Sequence, residues 1–263
     1  MSNALVLFMK APRPGTVKTR LTPRVSTGEA AELYSAFILD TLHLAQRVSG
    51  ASLFVAWTPD DGLAELQSAL GGPDGPSGPG GPSGSDVKWF RQRGGHLGER
   101  LSNAFSVFQR KKWDKTVVLG GDSPLLPHAF VEEAFDSLDR HDVVLGPAAD
   151  GGYYLIGLSE PPGPGGPGGP GGPGRGGSAA GHYTRLFESI HWGTDRVLRQ
   201  TRAAIRACGL SCHELPTCHD VDRPGDLDRI AREIRSLRAG GDQETGRHTE
   251  SALKAVIRGR NPA

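Results

Sequence analysis

Seven short apolar runs recur along this chain: ALVLFM, ASLFVAW, VKWF, KTVVLGG, HDVVLGP, GGYYLIGL and LSCHELP. Most are followed by a stretch whose apolar residues return at helical spacing, at 26–48, 61–70, 96–111, 127–140, 194–209 and 224–237. A run as continuously apolar as ALVLFM suits a strand covered on both faces. Strands alternating with amphipathic helices leave few architectures open. The pattern predicts an α/β chain with a mainly parallel sheet and helices on both faces. In such sheets ligands bind beyond the carboxyl ends of the strands. Candidate functional residues therefore belong in the loops that follow the apolar runs.

Two tracts interrupt the alternation, GGPDGPSGPGGPSGSD at 71–86 and PPGPGGPGGPGGPGRGGSAAG at 161–181. They hold much of the excess among 38 glycines and 20 prolines. Neither carries a large apolar side chain, so neither offsets the entropy of ordering its backbone, and both read as flexible surface insertions. Collagen would need glycine at every third position over a long array. The polar segment 239–263 reads as a flexible tail, although ESALKAVIRG within it has the composition of a short helix.

Charge and cysteine content narrow the function classes. The formal net charge is +1, so no global field points to nucleic acid or a membrane surface. No apolar run approaches the length of a bilayer span, and no secretory signal pattern opens the sequence. The three cysteines, Cys208, Cys212 and Cys218, do not make a disulfide framework, and a cytoplasmic protein is expected. Together with His213 and His219 they lack paired zinc-ligand spacing.

Four loops carry unusual residues. MKAPRPGTVKTRL (9–21) places Lys10, Arg13, Lys18 and Arg20 around two prolines and Gly15. Cations on a stiff loop suit a polyphosphate, and no Walker A spacing is present; a solvated basic turn is the competing reading. In GGDSPLL (120–126), Asp122 directly follows a buried strand, where it either coordinates a cation such as magnesium or caps the next helix. Gly120 and Gly121 leave room for a nucleotide there. In GPAADGGYYLIGL, Asp150 begins an Asp-Gly pair, which reads equally as a hairpin turn or as a wall of an acceptor site. In CHDVDRPGDL, Asp220 and Asp222 precede Pro224, which can open a helix. One of the pair can cap that helix, and a metal would give the other a role. In SIHWGTDRV, His191 and Trp192 either stack on an acceptor or serve packing beside a helix capped by Thr194; packing is the expectation for Trp192.

MKAPRPGTVKTRL, QRGGHLGERLSNAF, GGDSPLL, GPAADGGYYLIGL, IHWGTDRVL and DVDRPGDL, in this order, resemble the glycosyltransferase-like family called rSAM/selenodomain-associated transferase. That family belongs to the nucleotide-diphospho-sugar transferase superfamily, and it is similar to the guanylyltransferase that activates 2-phospho-lactate and to molybdopterin nucleotidyltransferases. The resemblance covers residues 4–238 and implies one GT-A domain over 1–238. It implies phosphate contacts at Lys10, Lys18 and Arg20, with Arg13 on the same loop, and nucleotide contacts near Gly98, Arg100 and Gly121. It implies Mg2+ or Mn2+ on Asp122 and Asp222, with Lys18, Asp122 and Asp150 in catalytic roles. Arg223 and Gly225 depart from the related pattern DVDTPEDL at the helix start. The reaction implied is metal-dependent transfer from a nucleotide-activated donor to a small-molecule acceptor. Glycosyl transfer from a nucleoside diphosphate sugar is placed ahead of nucleotidyl transfer from a triphosphate, and a nucleotide-binding regulator is the non-enzymatic alternative.

Overall fold

The computed structural model describes residues 2–71, 87–159 and 183–258. Apart from Gly71, the two Gly/Pro tracts lie outside the described residues.

Seven strands form one sheet: β1 (Asn3–Lys10), β2 (Ala51–Thr58), β3 (Lys88–Arg91), β4 (Lys115–Gly120), β5 (Val143–Pro147), β6 (Tyr153–Ser159) and β7 (Cys212–Glu214). The spatial order is β3-β2-β1-β4-β6-β5-β7. Pairing is parallel except around β6, which runs antiparallel to both β4 and β5. The exception follows from the sequence, because β5 and β6 are joined by a short turn and not by a helix. Each of the seven apolar runs is a strand of this sheet, as the alternation predicts.

The helices are α1 (Thr27–Gln46), α2 (Leu63–Ala69), α3 (Leu97–Arg110), α4 (His128–Ser137), α5 (Val197–Ala207), α6 (Pro224–Ala239) and α7 (Arg247–Arg258). α1 starts where the sequence signals it. Ser26 Oγ accepts from the Glu29 amide, and the Glu29 carboxylate accepts from the Ser26 amide, which satisfies two orphan donors. Among the described residues, no helix is long and apolar enough to cross a membrane.

Strand alternation divides the core into two layers. Leu5, Leu7, Leu53, Val55, Val117 and Leu119 face α1, α4, α6 and α7. Val6, Phe54, Ala56, Val118, Leu145 and Ile156 face α3 and α5. Fully burying a side chain of this size contributes about 1.5–3 kcal/mol, so both layers are needed for a stable sheet.

Within the expected tail, Arg247–Arg258 is helical, and residues 259–263 lie outside the described residues. α7 packs along α1, with Leu253 and Val256 buried. Its start is held by Asp40 of α1. The Asp40 carboxylate accepts from the amides of His248 at 3.1 Å and Thr249 at 2.8 Å, and from the Thr249 hydroxyl at 2.6 Å. The short helix that ESALKAVIRG suggests is present, and its anchoring to α1 was not legible because its capping residue lies in a different element.

Candidate functional site

β1 and β4 are neighbours, yet the chain leaves them toward opposite sides of the sheet, since β2 and β3 continue one flank and β6, β5 and β7 the other. The crevice beyond their carboxyl ends is where such sheets bind ligands. The loop after β1 and the loop after β4 both enter it. So do the β5–β6 turn and the segment after β7.

The first loop is held in shape from within. The Lys10 amide donates to Tyr34 Oη at 3.1 Å, and Lys10 Nζ donates to the Thr16 carbonyl at 2.7 Å. Lys18 has φ +48°, an unusual left-handed backbone for a residue with a long side chain. That conformation starts a short 3-10 turn, Thr19–Leu21. The Lys18 side chain is only 4% exposed and its ammonium lies 2.6 Å from Asp122 Oδ1. It also sits 5.7 Å from the centre of the Phe37 ring. Arg20 Nη1 pairs with Asp222 Oδ2 at 2.7 Å, and this contact raises the guanidinium further above its ordinary range. Lys18 and Arg20 thus come together with Asp122 and Asp222.

Arg13 does not join them. Its guanidinium is forked onto Asp61 at 3.1 Å and Glu65 at 2.8 Å, at the start of α2. Bidentate pairing engages its donors in the loop's own anchorage. Gly98 stands against Trp192. A Cβ there would stand 2.5 Å from Trp192 Nε1, so glycine is required for the indole to lie on the first turn of α3. Arg100 Nε donates to the Gly94 carbonyl at 3.0 Å and braces the turn before α3. At Gly121 a Cβ would meet Ile38 Cγ2 at 3.0 Å, so the β4 end is pressed onto α1.

Neither Asp122 nor Ser123 caps the following helix. α4 begins at Pro127 without a side-chain cap, and Ser123 Oγ donates to Asp220 Oδ1 at 2.6 Å. Nor does either aspartate of DVD cap α6. The Asp226 carboxylate does so, accepting from the amides of Asp222 at 2.9 Å and Arg223 at 2.7 Å. This cap replaces the one that Arg223 and Gly225 put in doubt. It leaves both Asp220 and Asp222 for the crevice. Asp220 is the residue that sequence alone could not separate from a helix cap. Burial first, and the nearby Asp122 charge second, push its carboxyl up to about 6. The Val221 amide donates to the Asp122 carbonyl at 3.2 Å, which fastens the two acidic segments together.

The β5–β6 connection is a hairpin turn. Asp150 Oδ1 accepts from the Gly152 amide at 2.8 Å, and the Ala148 amide donates to the Gly152 carbonyl at 3.0 Å. Gly151 has φ +90°, and a Cβ on it would strike the Asp195 carbonyl oxygen, so the turn and the start of the α5 segment interlock only through glycine. Asp150 nonetheless lines a cavity of about 590 Å³, together with Tyr153, Trp192, Asp220, Asp222 and Arg20. The hairpin and acceptor-wall readings are therefore compatible in space. Trp192 both packs on Gly98 and forms the cavity wall, with its ring edge toward Tyr153 at 6.4 Å between centroids. Its indole N–H is buried without a hydrogen-bond partner. Thr194 accepts from the Arg196 amide at 3.3 Å, one residue ahead of the helix proper. His191 Nδ1 is 2.6 Å from Gln200 Nε2.

The arrangement offers two cations facing an acidic trio, beside a cavity with one aromatic wall. It can hold an anion and a hard divalent cation together.

Comparison with known proteins agrees with this architecture. A solved protein from Desulfovibrio desulfuricans G20, provisionally assigned as a nucleotide-diphospho-sugar transferase, is 29% identical, with a TM-score of 0.76 over 100% of both chains. The CMP:2-keto-3-deoxy-manno-octonic acid synthetase, solved with CTP, shares the fold at 12% identity, with a TM-score of 0.52 over 90% of this chain and 100% of its own. No curated protein matches by sequence. The family model described as "Uncharacterized protein conserved in bacteria (DUF2064)" matches residues 41–194. From β2 through the Trp192 wall the match takes in more than half of the chain, which therefore belongs to the DUF2064 family and carries the α/β fold of the nucleotide-diphospho-sugar transferases.

Proposed function

We propose that this chain is a divalent-metal-dependent transferase with a nucleotide-activated donor, and that it moves a glycosyl group from a nucleoside diphosphate sugar to a small-molecule hydroxyl. The observation that carries the reading is the double pairing of Lys18 with Asp122 and Arg20 with Asp222, of which Arg20 and Asp222 line the 590 Å³ cavity. Two cations suit a diphosphate. Arg13, which would have added a third, is committed to α2. The 29% identical Desulfovibrio protein, matched over its whole length, supports the same donor class.

Asp122, Asp220 and Asp222 offer an all-oxygen donor set, a chemistry that fits Mg2+ or Mn2+. When bound, such an ion supplies neutralisation of the diphosphate charge. Lys18 and Arg20 exchange their carboxylate partners for phosphate oxygens and stabilise the leaving diphosphate. Asp150, oriented by the Gly152 amide, takes the proton of the acceptor hydroxyl. The acceptor oxygen bonds to the anomeric carbon as the bond from that carbon to the diphosphate oxygen breaks. Trp192 and Tyr153 shield the reacting centre from water.

A second reading, transfer of a nucleoside monophosphate from a triphosphate, draws on the basic loop 9–21, which carries Lys10 besides Lys18 and Arg20. Calorimetry separates the two. For a nucleotide-sugar enzyme, wild type binds diphosphate and triphosphate with similar affinity in magnesium, and Lys18→Ala or Arg20→Ala weakens both. For a triphosphate enzyme, wild type prefers triphosphate and the variants erase the preference. Binding without consumption of any donor, across broad acceptor panels, would indicate a regulator and overturn the enzymatic reading.

A further inference from the structure

We propose that Asp40, His43 and His248 form a binding site for a transition-metal dication of the zinc class, which ties α7 to α1. Asp40 and His43 line a cavity of about 390 Å³ that shares no lining residue with the cavity of the proposed active site.

The geometry is that of a ligand set. The three residues present donor atoms that all lie within 4.8 Å of one another. His43 Nδ1 and His248 Nε2 are 3.1 Å apart, with the rings stacked at 4.8 Å between centroids. Zinc–nitrogen bonds of about 2.0–2.1 Å in a tetrahedron give an edge of about 3.3 Å, so the imidazole pair already stands near ligand spacing. The carboxylate side of the triangle closes on binding. Asp40 and His43 are one turn apart on α1, and His248 is at the first turn of α7. The ligands therefore come from two elements that adjoin only in the folded chain.

Asp40 is buried and accepts three hydrogen bonds from the start of α7. Its Oδ1 accepts only the His248 amide, which leaves a lone pair for a metal. Arg247 Nε donates to His248 Nε2 at 3.2 Å, and a metal would displace that contact. Arg247 is exposed and has Glu244 at 3.2 Å as an alternative partner. With three protein ligands and an open cavity, the fourth position is left to water or a small anion.

The test uses the full chain, stripped with EDTA, with Asp122→Asn and Asp222→Asn introduced to silence the proposed active site. Zn2+ at a hundredfold excess over Kd is expected to raise Tm by about 5–10 °C. Co2+ is expected to bind at one equivalent with visible absorption of tetrahedral character. His43→Ala and His248→Ala should each abolish both signals, and His43→Gln, which retains a hydrogen-bond donor, should abolish them without lowering the metal-free Tm by as much as His43→Ala. Failure of Zn2+ and Co2+ to give either signal would overturn the site, leaving a hydrogen-bonded histidine pair. Retention of both signals in the histidine variants would overturn it as well.

Discussion

Lys18 Nζ stands 2.6 Å from Asp122 Oδ1, and this contact joins the loop after β1 to the loop after β4 across the point where the sheet's connections diverge. The lysine occupies a carboxylate oxygen that the proposed metal also needs. Lys18→Met should therefore strengthen Mn2+ binding in the absence of nucleotide. The same change should weaken nucleoside diphosphate binding about tenfold to hundredfold, through loss of a charge-assisted hydrogen bond worth about 1.5–3 kcal/mol. Calorimetry with each ligand separately reads both effects, and a parallel loss of both affinities would contradict the competition.

Asp122→Asn and Asp222→Asn should keep the wild-type circular dichroism and a cooperative melt while removing metal-dependent donor consumption. Each substitution retains the side-chain shape and deletes one carboxylate charge. Full turnover in both variants would remove these residues from the metal set.

Asp220 gives the pH dependence. Its folded carboxyl titrates at about 6, above the unfolded value of 3.8, so the folded state holds more protons in this window. Metal-free stability should fall as pH rises from about 4 to about 6 and then level off in respect of this group. Asp220→Asn should flatten that segment and raise metal-free stability at pH 7 by about 1–2 kcal/mol, the half-buried position moderating the full linkage value. Urea melts in EDTA at several pH values measure it. The same variant should bind Mn2+ less tightly, so stability and function move in opposite directions.

Gly151→Ala should damage the cavity wall. The residue needs φ +90° and has no room for a Cβ against the Asp195 carbonyl. The expected result is a raised acceptor KM with donor affinity close to wild type. An unchanged acceptor KM would mean that the hairpin tip does not shape the acceptor site.

Asp40→Ala removes the acceptor for both amides at the start of α7 and for the Thr249 hydroxyl. A loss of about 1–3 kcal/mol is expected, concentrated in α7. Hydrogen exchange should show the protection of residues 250–257 falling before that of β1 or β4.

The sheet was legible because its signal is local: each apolar run and each helical stripe lies within a few consecutive residues. Asp122 could be singled out because a carboxylate after a buried strand needs a reason, whereas Asp222 was separated from Asp220 only by the family resemblance. What they pair with was not legible. Lys18 reaches Asp122 through a left-handed backbone, and Arg13 turns away because Asp61 and Glu65 lie in a later helix. The roles of Gly98 and Gly151 depend on Trp192 and Asp195, which approach them only in the folded chain. The pairing of His43 with His248 carries no sequence spacing at all, since the two lie on elements at opposite ends of the fold order.

The ion pair between Arg20 and Asp222 spans 202 positions of sequence, and Arg24 with Asp228 spans 204. Such contacts have high sequence separation, and loop-closure entropy must be met before they form. On a chain synthesised from its amino end, β1, α1 and β2 have their local partners long before residue 222 emerges. Asp122 can face Lys18 as soon as β4 has joined β1, whereas Arg20 waits for Asp222, so the two ion pairs of the crevice belong to different stages of assembly.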